Sequence, residues 1–223
     1  MLHNWEFAPP LPDHGEDSPD PLFFGVGKVM SGWEMIEFEL SRLYSVFAGD
    51  PDGAAMRDYG KHTVAHFRLS NLSEMADRYF IKRPCQGCEG KLLSILAKLR
   101  NFASRRNEVA HGIVFDVQKI VAFTENFVPA ARGRPQFLLI APFYQLKQHA
   151  PDGLPAYGYT SQTLQAMIPA MLDSFGEVHE FRVDLLATDK PKEGPPKPFA
   201  STNKKQHRSR PEGTTQRQQP PKR

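Results

Sequence analysis

Residues 91–112 read KLLSILAKLRNFASRRNEVAHG, and this stretch decides the fold. Its apolar residues recur at steps of three and four, which predicts an amphipathic helix over about 91–110 with one buried face. Gly112 follows the last turn, where a residue with positive φ often ends a helix. The inner face of this third predicted helix is expected to consist of Leu92, Ile95, Leu96, Leu99, Phe102, Ala103 and Ala110.

The other helices are predicted on both sides of this stretch. Periodic apolar residues predict a first helix over 22–48, a second over about 54–81 and a last one over about 162–180. Thr160 or Ser161 can supply the N-cap of the last helix. That helix also contains a proline at position 169, which predicts a kink or a late start.

A β-rich insertion separates the third helix from the last one. Runs at 113–117, 120–123, 136–144 and 157–159 have the β-branched and aromatic composition of strands. They predict a small β-hairpin or sheet over about 113–159. The expected fold class is therefore mainly α, with this insertion placed before the last helix.

The two ends of the chain differ in composition from its middle. Residues 1–21 are rich in Pro, Asp and Gly, and an irregular or loosely attached segment is expected there. Residues 188–223 hold ten Lys and Arg against three Asp and Glu, a local charge of +7, so the preceding residues carry −4 of the total of +3. This Pro-rich tail is expected to be disordered, which leaves 22–187 as one folded domain. Global charge therefore gives no argument for nucleic-acid binding.

The last turns of the third predicted helix carry Arg106, Asn107 and His111. A guanidinium offers fixed donors for a phosphate, a carboxamide can position an oxygen, and an imidazole can move a proton near neutral pH. Arg106 and His111 are five positions apart, so they point about 140° apart on an unbroken helix. They converge only if the helix ends near Ala110 or if they come from different copies of the protein.

Glu37 is a carboxylate within the apolar stripe of the first predicted helix, and Arg106 is a cation on the inner side of the third. A buried guanidinium costs several kcal/mol unless it is paired, so the two residues are expected to share a region of the helix interface. Two interpretations remain open: a structural Glu37–Arg106 ion pair with His111 as a capping residue, or a chemical site. Glu34 and Glu39 are interpreted as solvated charges.

Residues 106–112, Arg-Asn-Glu-Val-Ala-His-Gly, resemble the Arg-x4–6-His signature of the HEPN superfamily in its Arg-Asn-x-x-Ala-His form. The spacing of Trp33, Glu37, Leu40 and Leu43 is similar to that in the first helix of many uncharacterised bacterial members. The resemblance implies an up-and-down helical bundle that forms a homodimer. It also implies, for many members, a metal-independent endoribonuclease in which Arg and His of two protomers meet in one cleft.

Carried onto this chain, the resemblance gives Arg106, His111, Asn107 and Glu37 as candidate catalytic residues. Arg106 would stabilise the phosphate charge, His111 would act as general acid or base, and Asn107 would orient the phosphate or His111. The expected product is a 2′,3′-cyclic phosphate. The expected partners are RNA or a nucleotide, a second copy, and an antitoxin or other protein in a toxin or phage-defence setting. The alternatives are a non-catalytic HEPN-like dimer that binds nucleotide, RNA or protein, and a structural scaffold.

Four further residues, His62, His66, Cys85 and Cys88, offer a rival site. Together they would complete a four-ligand zinc set. The alternatives are a cysteine pair completed by a second copy or used in redox chemistry, a turn with two free thiols, and histidines that lie in a helix interface. No metal or cofactor is expected. No signal peptide and no spanning apolar run are evident, and a cytoplasmic protein without membrane association is expected.

Overall fold

The computed structural model describes residues 5, 7–50, 53–119, 134–151 and 153–188, except for the side chain of residue 146. Across these residues the protein is mainly helical with one small antiparallel sheet, as the sequence predicts. The predicted tail, 188–223, lies outside the described residues but for its first residue. The elements in chain order are α1 (Asp20–Phe47), α2 (Ala54–Gly60), α3 (Ala65–Lys82), α4 (Gln86–His111), β1 (Ile113–Asp116), β2 (Phe137–Ile140), β3 (Gly158–Tyr159) and α5 (Ser161–Thr188).

Helix α1 is the central element of the core. It packs most extensively against α5 and also contacts α2, α3 and α4. Its apolar stripe includes Trp33, Ile36, Leu40 and Leu43, all essentially inaccessible to solvent. Each fully buried large side chain contributes about 1.5–3 kcal/mol through removal of apolar surface from water. The first predicted helix is therefore confirmed, and its apolar stripe faces the neighbouring helices.

The single helix predicted over 54–81 is wrong, because the chain forms two helices there. Helix α2 ends at Gly60, and α3 begins only after Val64, whose backbone is extended with φ −99° and ψ 128°. Glycine and β-branched residues both lower helix propensity; Gly60 is the last residue of α2, and the connection that follows contains Thr63 and Val64. The break places His62 on the connection between the two helices.

Helix α4 is longer than the predicted 91–110 at both ends. It begins at Gln86, inside the predicted loop, with Cys85 as its N-cap, and it continues through His111. Gly112 has φ −66° and ψ 160°, so the expected positive φ is wrong. Space explains the glycine instead: a Cβ there would lie 2.8 Å from the carbonyl oxygen of Glu108 and 2.9 Å from Leu139 Cδ1. Gly112 thus allows the chain to turn closely from α4 into the sheet.

The sheet has the order β1-β2-β3, and both pairings are antiparallel. Val114 is opposite Leu139, and Leu139 is in turn opposite Tyr159. Leu139 and Tyr159 are fully buried in the main core, so the sheet packs onto the helices. Three of the four predicted β-runs are confirmed as shorter strands. The fourth run, 120–123, lies outside the described residues.

The segment before α1 is irregular but not loosely attached. Glu16 exchanges two backbone hydrogen bonds with Phe137, the first residue of β2, at 2.9 and 2.8 Å. Its carboxylate also accepts hydrogen bonds from the backbone and hydroxyl of Ser161, at 2.9 and 2.6 Å. The expectation of loose attachment is therefore wrong, because one glutamate joins this segment to both the sheet and the start of α5.

Helix α5 begins at Ser161 and continues to Thr188, eight residues beyond the predicted end. Thr160 provides the cap, since its hydroxyl accepts a hydrogen bond from the backbone of Thr163 at 3.1 Å. The helix passes through Pro169, so the predicted late start is wrong. The long buried face of α5 against α1 stabilises the helix beyond what its local sequence favours.

Two glycines of α1 provide a matched test of the α1–α5 packing. A Cβ at Gly25 would lie 2.9 Å from Leu164 Cβ, whereas one at Gly27 would contact nothing within 4 Å. Gly25→Ala is expected to destabilise the protein by about 1–3 kcal/mol through overpacking. Gly27→Ala is expected to stabilise it by about 0.5–1 kcal/mol through helix propensity. Urea unfolding measures both, and equal effects of the two substitutions would contradict this packing.

Candidate functional site

The last turns of α4 place the residues of the Arg-Asn-x-x-Ala-His motif in two directions. Arg106 faces α1, whereas His111 faces a groove next to the segment between β2 and β3. Asn107 links the two directions: it accepts a hydrogen bond from Arg106 and also lines the groove. Because α4 remains helical to His111, the early helix end that would bring the guanidinium and the imidazole together within one chain is absent.

Arg106 is partly buried, with 23% of its side chain exposed. Its Nη1 donates to Asn107 Oδ1 at 3.2 Å, and its Nη2 lies 3.7 Å from the carboxylate of Glu34, which is 63% exposed. Its buried Nε has no hydrogen-bond partner among the described residues. The guanidinium is therefore held by one neutral acceptor and one distant, solvated carboxylate, so it retains donors for an anionic group.

Glu37 does not pair with Arg106, so the predicted ion pair is wrong. Glu37 accepts hydrogen bonds from Trp33 Nε1 at 3.1 Å and from the hydroxyl of Tyr59 at 2.6 Å, and Arg68 Nη1 lies 3.4 Å away. Burial, together with the neighbouring charge of Glu37, raises the pKa of Tyr59. This cluster joins α1 to α2 and α3. A catalytic role for Glu37 remains a prediction without support from this geometry.

His111 is the last residue of α4, and its side chain is exposed. No hydrogen-bond partner for its ring lies among the described residues. The imidazole lines a groove of about 260 Å³ together with Ser104, Asn107 and Glu108, which lie on the same face of α4. The opposite wall consists of Gln145, Gln148 and Tyr157 from the connection between β2 and β3.

Behind the groove, a buried polar cluster holds Glu108 in place. The hydroxyl of Tyr159 donates to Glu108 Oε2 at 2.5 Å, and Arg105 Nη2 lies 2.8 Å from Oε1. Burial raises the pKa of Glu108, although the hydrogen bond from Tyr159 and the charge of Arg105 oppose the rise. Burial also raises the pKa of Tyr157 to about 12, with the charge of Glu108 adding to the rise. Burial, with the hydrogen bond to Glu108, raises the pKa of Tyr159 as well, so both tyrosines are neutral donors at physiological pH.

The sequence gives little signal for this cluster. Arg105 and Glu108 lie at about 220° and 160° from Leu92 on the helix wheel, opposite the apolar stripe. The helical pattern of α4 therefore indicates that Arg105 and Glu108 are solvated charges. The sheet that covers them is formed by residues later in the chain, so the pattern of α4 cannot show it. Tyr159 lies in a run with the composition of a β-strand, and nothing in the sequence indicates that Glu108 is its hydrogen-bond partner.

Glu39, interpreted as a solvated charge, is buried instead, with 2% of its side chain exposed. Arg182 of α5 donates from Nε to Glu39 Oε2 at 2.9 Å, Arg42 donates to Oε1 at 2.8 Å, and His179 lies 3.5 Å from Oε1. Burial by itself would raise the pKa of Glu39, but the hydrogen bond and charge of Arg182, with Arg42 and His179, outweigh burial and lower it. This cluster is a structural ion pair between α1 and α5.

The rival zinc set is not assembled. Cys85 and Cys88 form a disulfide at the start of α4, so the interpretation as two free thiols is wrong. His62 and His66 are exposed and contact the ring of Phe67, so their interpretation as interface histidines is also wrong. Among the residues that the structure describes, no group of three or more potential ligands could hold a metal ion.

Comparison with known proteins found no matching family model, no matching curated protein and no matching solved structure. Within the described part of the chain, no helix has both the length and the apolar character that crossing a bilayer requires. The structure thus defines a helical protein with a three-stranded antiparallel sheet, in which a polar groove lies between the end of α4 and the connection from β2 to β3.

Proposed function

We propose that this protein is an HEPN-like, metal-independent endoribonuclease. The observation that carries the proposal is the guanidinium of Arg106, held mainly by Asn107, on the helix whose last residue is the exposed His111. A cation with unused donors can bind a phosphodiester, and a solvent-accessible imidazole that is brought to the same phosphodiester can transfer its protons. The resemblance of residues 106–112 to the HEPN signature supports the same conclusion, as does the mainly helical fold.

The proposed site is completed by a second copy of the chain. Arg106 and His111 diverge by about 140° on one continuous helix, so a single copy supports only half of the chemistry. Two copies related by a two-fold axis at the ends of their α4 helices can bring Arg106 of one copy towards His111 of the other. The exposure of His111 leaves it accessible for such an approach.

In the proposed reaction, the ribose 2′-oxygen attacks the adjacent phosphorus and the bond from phosphorus to the 5′-oxygen breaks. The His111 imidazole of the site accepts the proton of the 2′-hydroxyl and returns a proton to the leaving 5′-oxygen. Arg106 stabilises the negative charge that grows on the phosphate oxygens, and Asn107 orients the guanidinium. The products are a 2′,3′-cyclic phosphate and a 5′-hydroxyl end. A toxin or phage-defence setting and a cytoplasmic location belong to this proposal by analogy alone.

A mixing experiment tests the two-copy site. Arg106→Ala and His111→Ala are each expected to be inactive, because each site then lacks one group. Equal mixing with subunit exchange should restore roughly a quarter of wild-type cleavage, since half of the dimers are mixed and each holds one intact site. Cleavage is measured in EDTA on RNA, with mass spectrometry of the product ends. Inactivity of the mixture despite demonstrated exchange would contradict the two-copy site, and 3′-monophosphate ends without a cyclic precursor would contradict the mechanism.

The second candidate is a non-catalytic HEPN-like dimer that binds RNA, a nucleotide or a protein. The polar groove beside His111 favours it, because amide side chains there can bind without chemistry. RNA binding by the wild-type protein with no cleavage of any substrate would favour this candidate over the nuclease.

A further inference from the structure

The groove beside His111 presents a defined set of hydrogen-bonding groups. The Oδ1 of Asn107 already accepts from Arg106, and the Oε1 of Gln148 accepts from the hydroxyl of Tyr157 at 3.1 Å. Each of these amides can therefore still donate hydrogen bonds through its NH₂ group. One donor comes from α4 and the other from the opposite wall, so they flank the space between the two walls.

Glu108 supplies the acceptor in the same groove. Arg105 and Tyr159 bind its two oxygens from behind, which fixes the carboxylate and leaves further lone pairs towards the groove. Arg105 also balances the charge of Glu108, so this wall carries no net positive charge for a phosphate. The volume of about 260 Å³ is at the small end of ligand sites and suits one planar group rather than a folded strand.

We propose that this groove binds a single guanine base of the RNA substrate next to the bond that is cut. The inference rests on the proposed nuclease function and adds its base preference. Guanine presents the acceptor O6 beside the donors N1–H and N2–H₂, which matches an amide NH₂ beside a carboxylate. Uracil offers a single donor on that edge, and adenine and cytosine carry an amino group where guanine has its acceptor.

The position of His111 in the same wall connects the base to the reaction. A base held by Asn107 and Glu108 has its ribose near the imidazole, so the groove selects the nucleotide on one side of the scissile phosphate. Gln148 and Tyr157 come from the connection between β2 and β3, which gives this insertion a role in choosing the substrate.

The test uses trinucleotides with 2′-O-methyl riboses, which cannot be cut, that differ only in the central base. The dissociation constant for guanine is expected to be about tenfold lower than for each other base. Gln148→Ala should remove this preference, whereas Gln165→Ala, the same substitution at an exposed position of α5, should retain it. Equal constants for the four bases, or a preference that persists in Gln148→Ala, would overturn the inference.

Cleavage of matching unmodified RNA separates this inference from the proposed function. Cutting without any base preference in binding or in cleavage sites would overturn the guanine site and leave the nuclease standing. Guanine-selective binding that depends on Gln148, without cutting of any RNA, would support the base site and overturn the nuclease.

Discussion

Replacing His111 with alanine is expected to lower the rate of RNA cleavage by about 10²–10⁴-fold, the usual contribution of a positioned general acid or base. The fold should tolerate this change, because the side chain is exposed at the last residue of α4 and binds no described residue. The melting temperature should therefore remain within the range of ordinary surface substitutions. Initial rates with a fluorescent RNA, measured beside thermal unfolding, check both expectations.

His66→Ala is the matched control for this substitution. His66 is also an exposed histidine on a helix, and its ring contacts that of Phe67. Cleavage by His66→Ala should equal that of the wild type, and Arg106→Ala should lose about 10²–10³-fold, as expected for a lost donor to the reacting phosphate. Full activity of His111→Ala, in a preparation free of contaminating ribonuclease, would end the proposed function.

Replacing Arg182 with leucine is expected to destabilise the protein by about 3–5 kcal/mol. This substitution removes the buried partner of Glu39 and leaves the carboxylate with the partly exposed Arg42 and His179, and a buried charge that is only partly compensated is costly. For a domain of this size, the loss corresponds to a fall in melting temperature of about 10 °C. Replacing both Glu39 and Arg182 with leucine should recover most of the loss, because apolar residues can fill the same space.

The pH dependence of stability tests the same ion pair. The pKa of Glu39 is lowered from 4.5 in the folded protein, so its contribution is fully present above that ordinary value. The contribution is lost as the pH falls through the lowered folded pKa. The double leucine variant should therefore lose less stability than the wild type on acidification. Parallel acid unfolding curves for the two proteins would contradict the role assigned to Glu39.

Lys98 provides the control for the ion pair. It lies 3.0 Å from Glu177 and also joins α5 to a neighbouring helix, but both side chains are more than a third exposed. Lys98→Leu should change the free energy of unfolding by at most about 1 kcal/mol, because solvent screens exposed pairs. A loss as large as that of Arg182→Leu would show that burial does not distinguish the two pairs.

The candidate site was predictable from sequence only in part. Arg106, Asn107 and His111 are evident as unusual residues at the end of an apolar helix, and their positions on α4 follow from the helical period. The partner of Arg106 was not predictable. Glu34 and Glu37 lie on adjacent turns of α1, and a small rotation of α1 about its axis decides which of the two carboxylates faces α4. The rotation depends on packing, since Glu37 already has Tyr59 and Arg68 as partners.

The sequence alone determined the stripe of α1, the existence of α5, the three strands and the location of the motif, because these depend on local period and composition. Only the tertiary structure decided that Glu39 is buried against Arg182, that Glu16 joins the N-terminal segment to the sheet, and that Glu108 is held by Tyr159. The physical reason is that hydrophobic period fixes the direction of a side chain on its own helix. Which distant element covers that side chain is settled by packing between segments far apart in the chain.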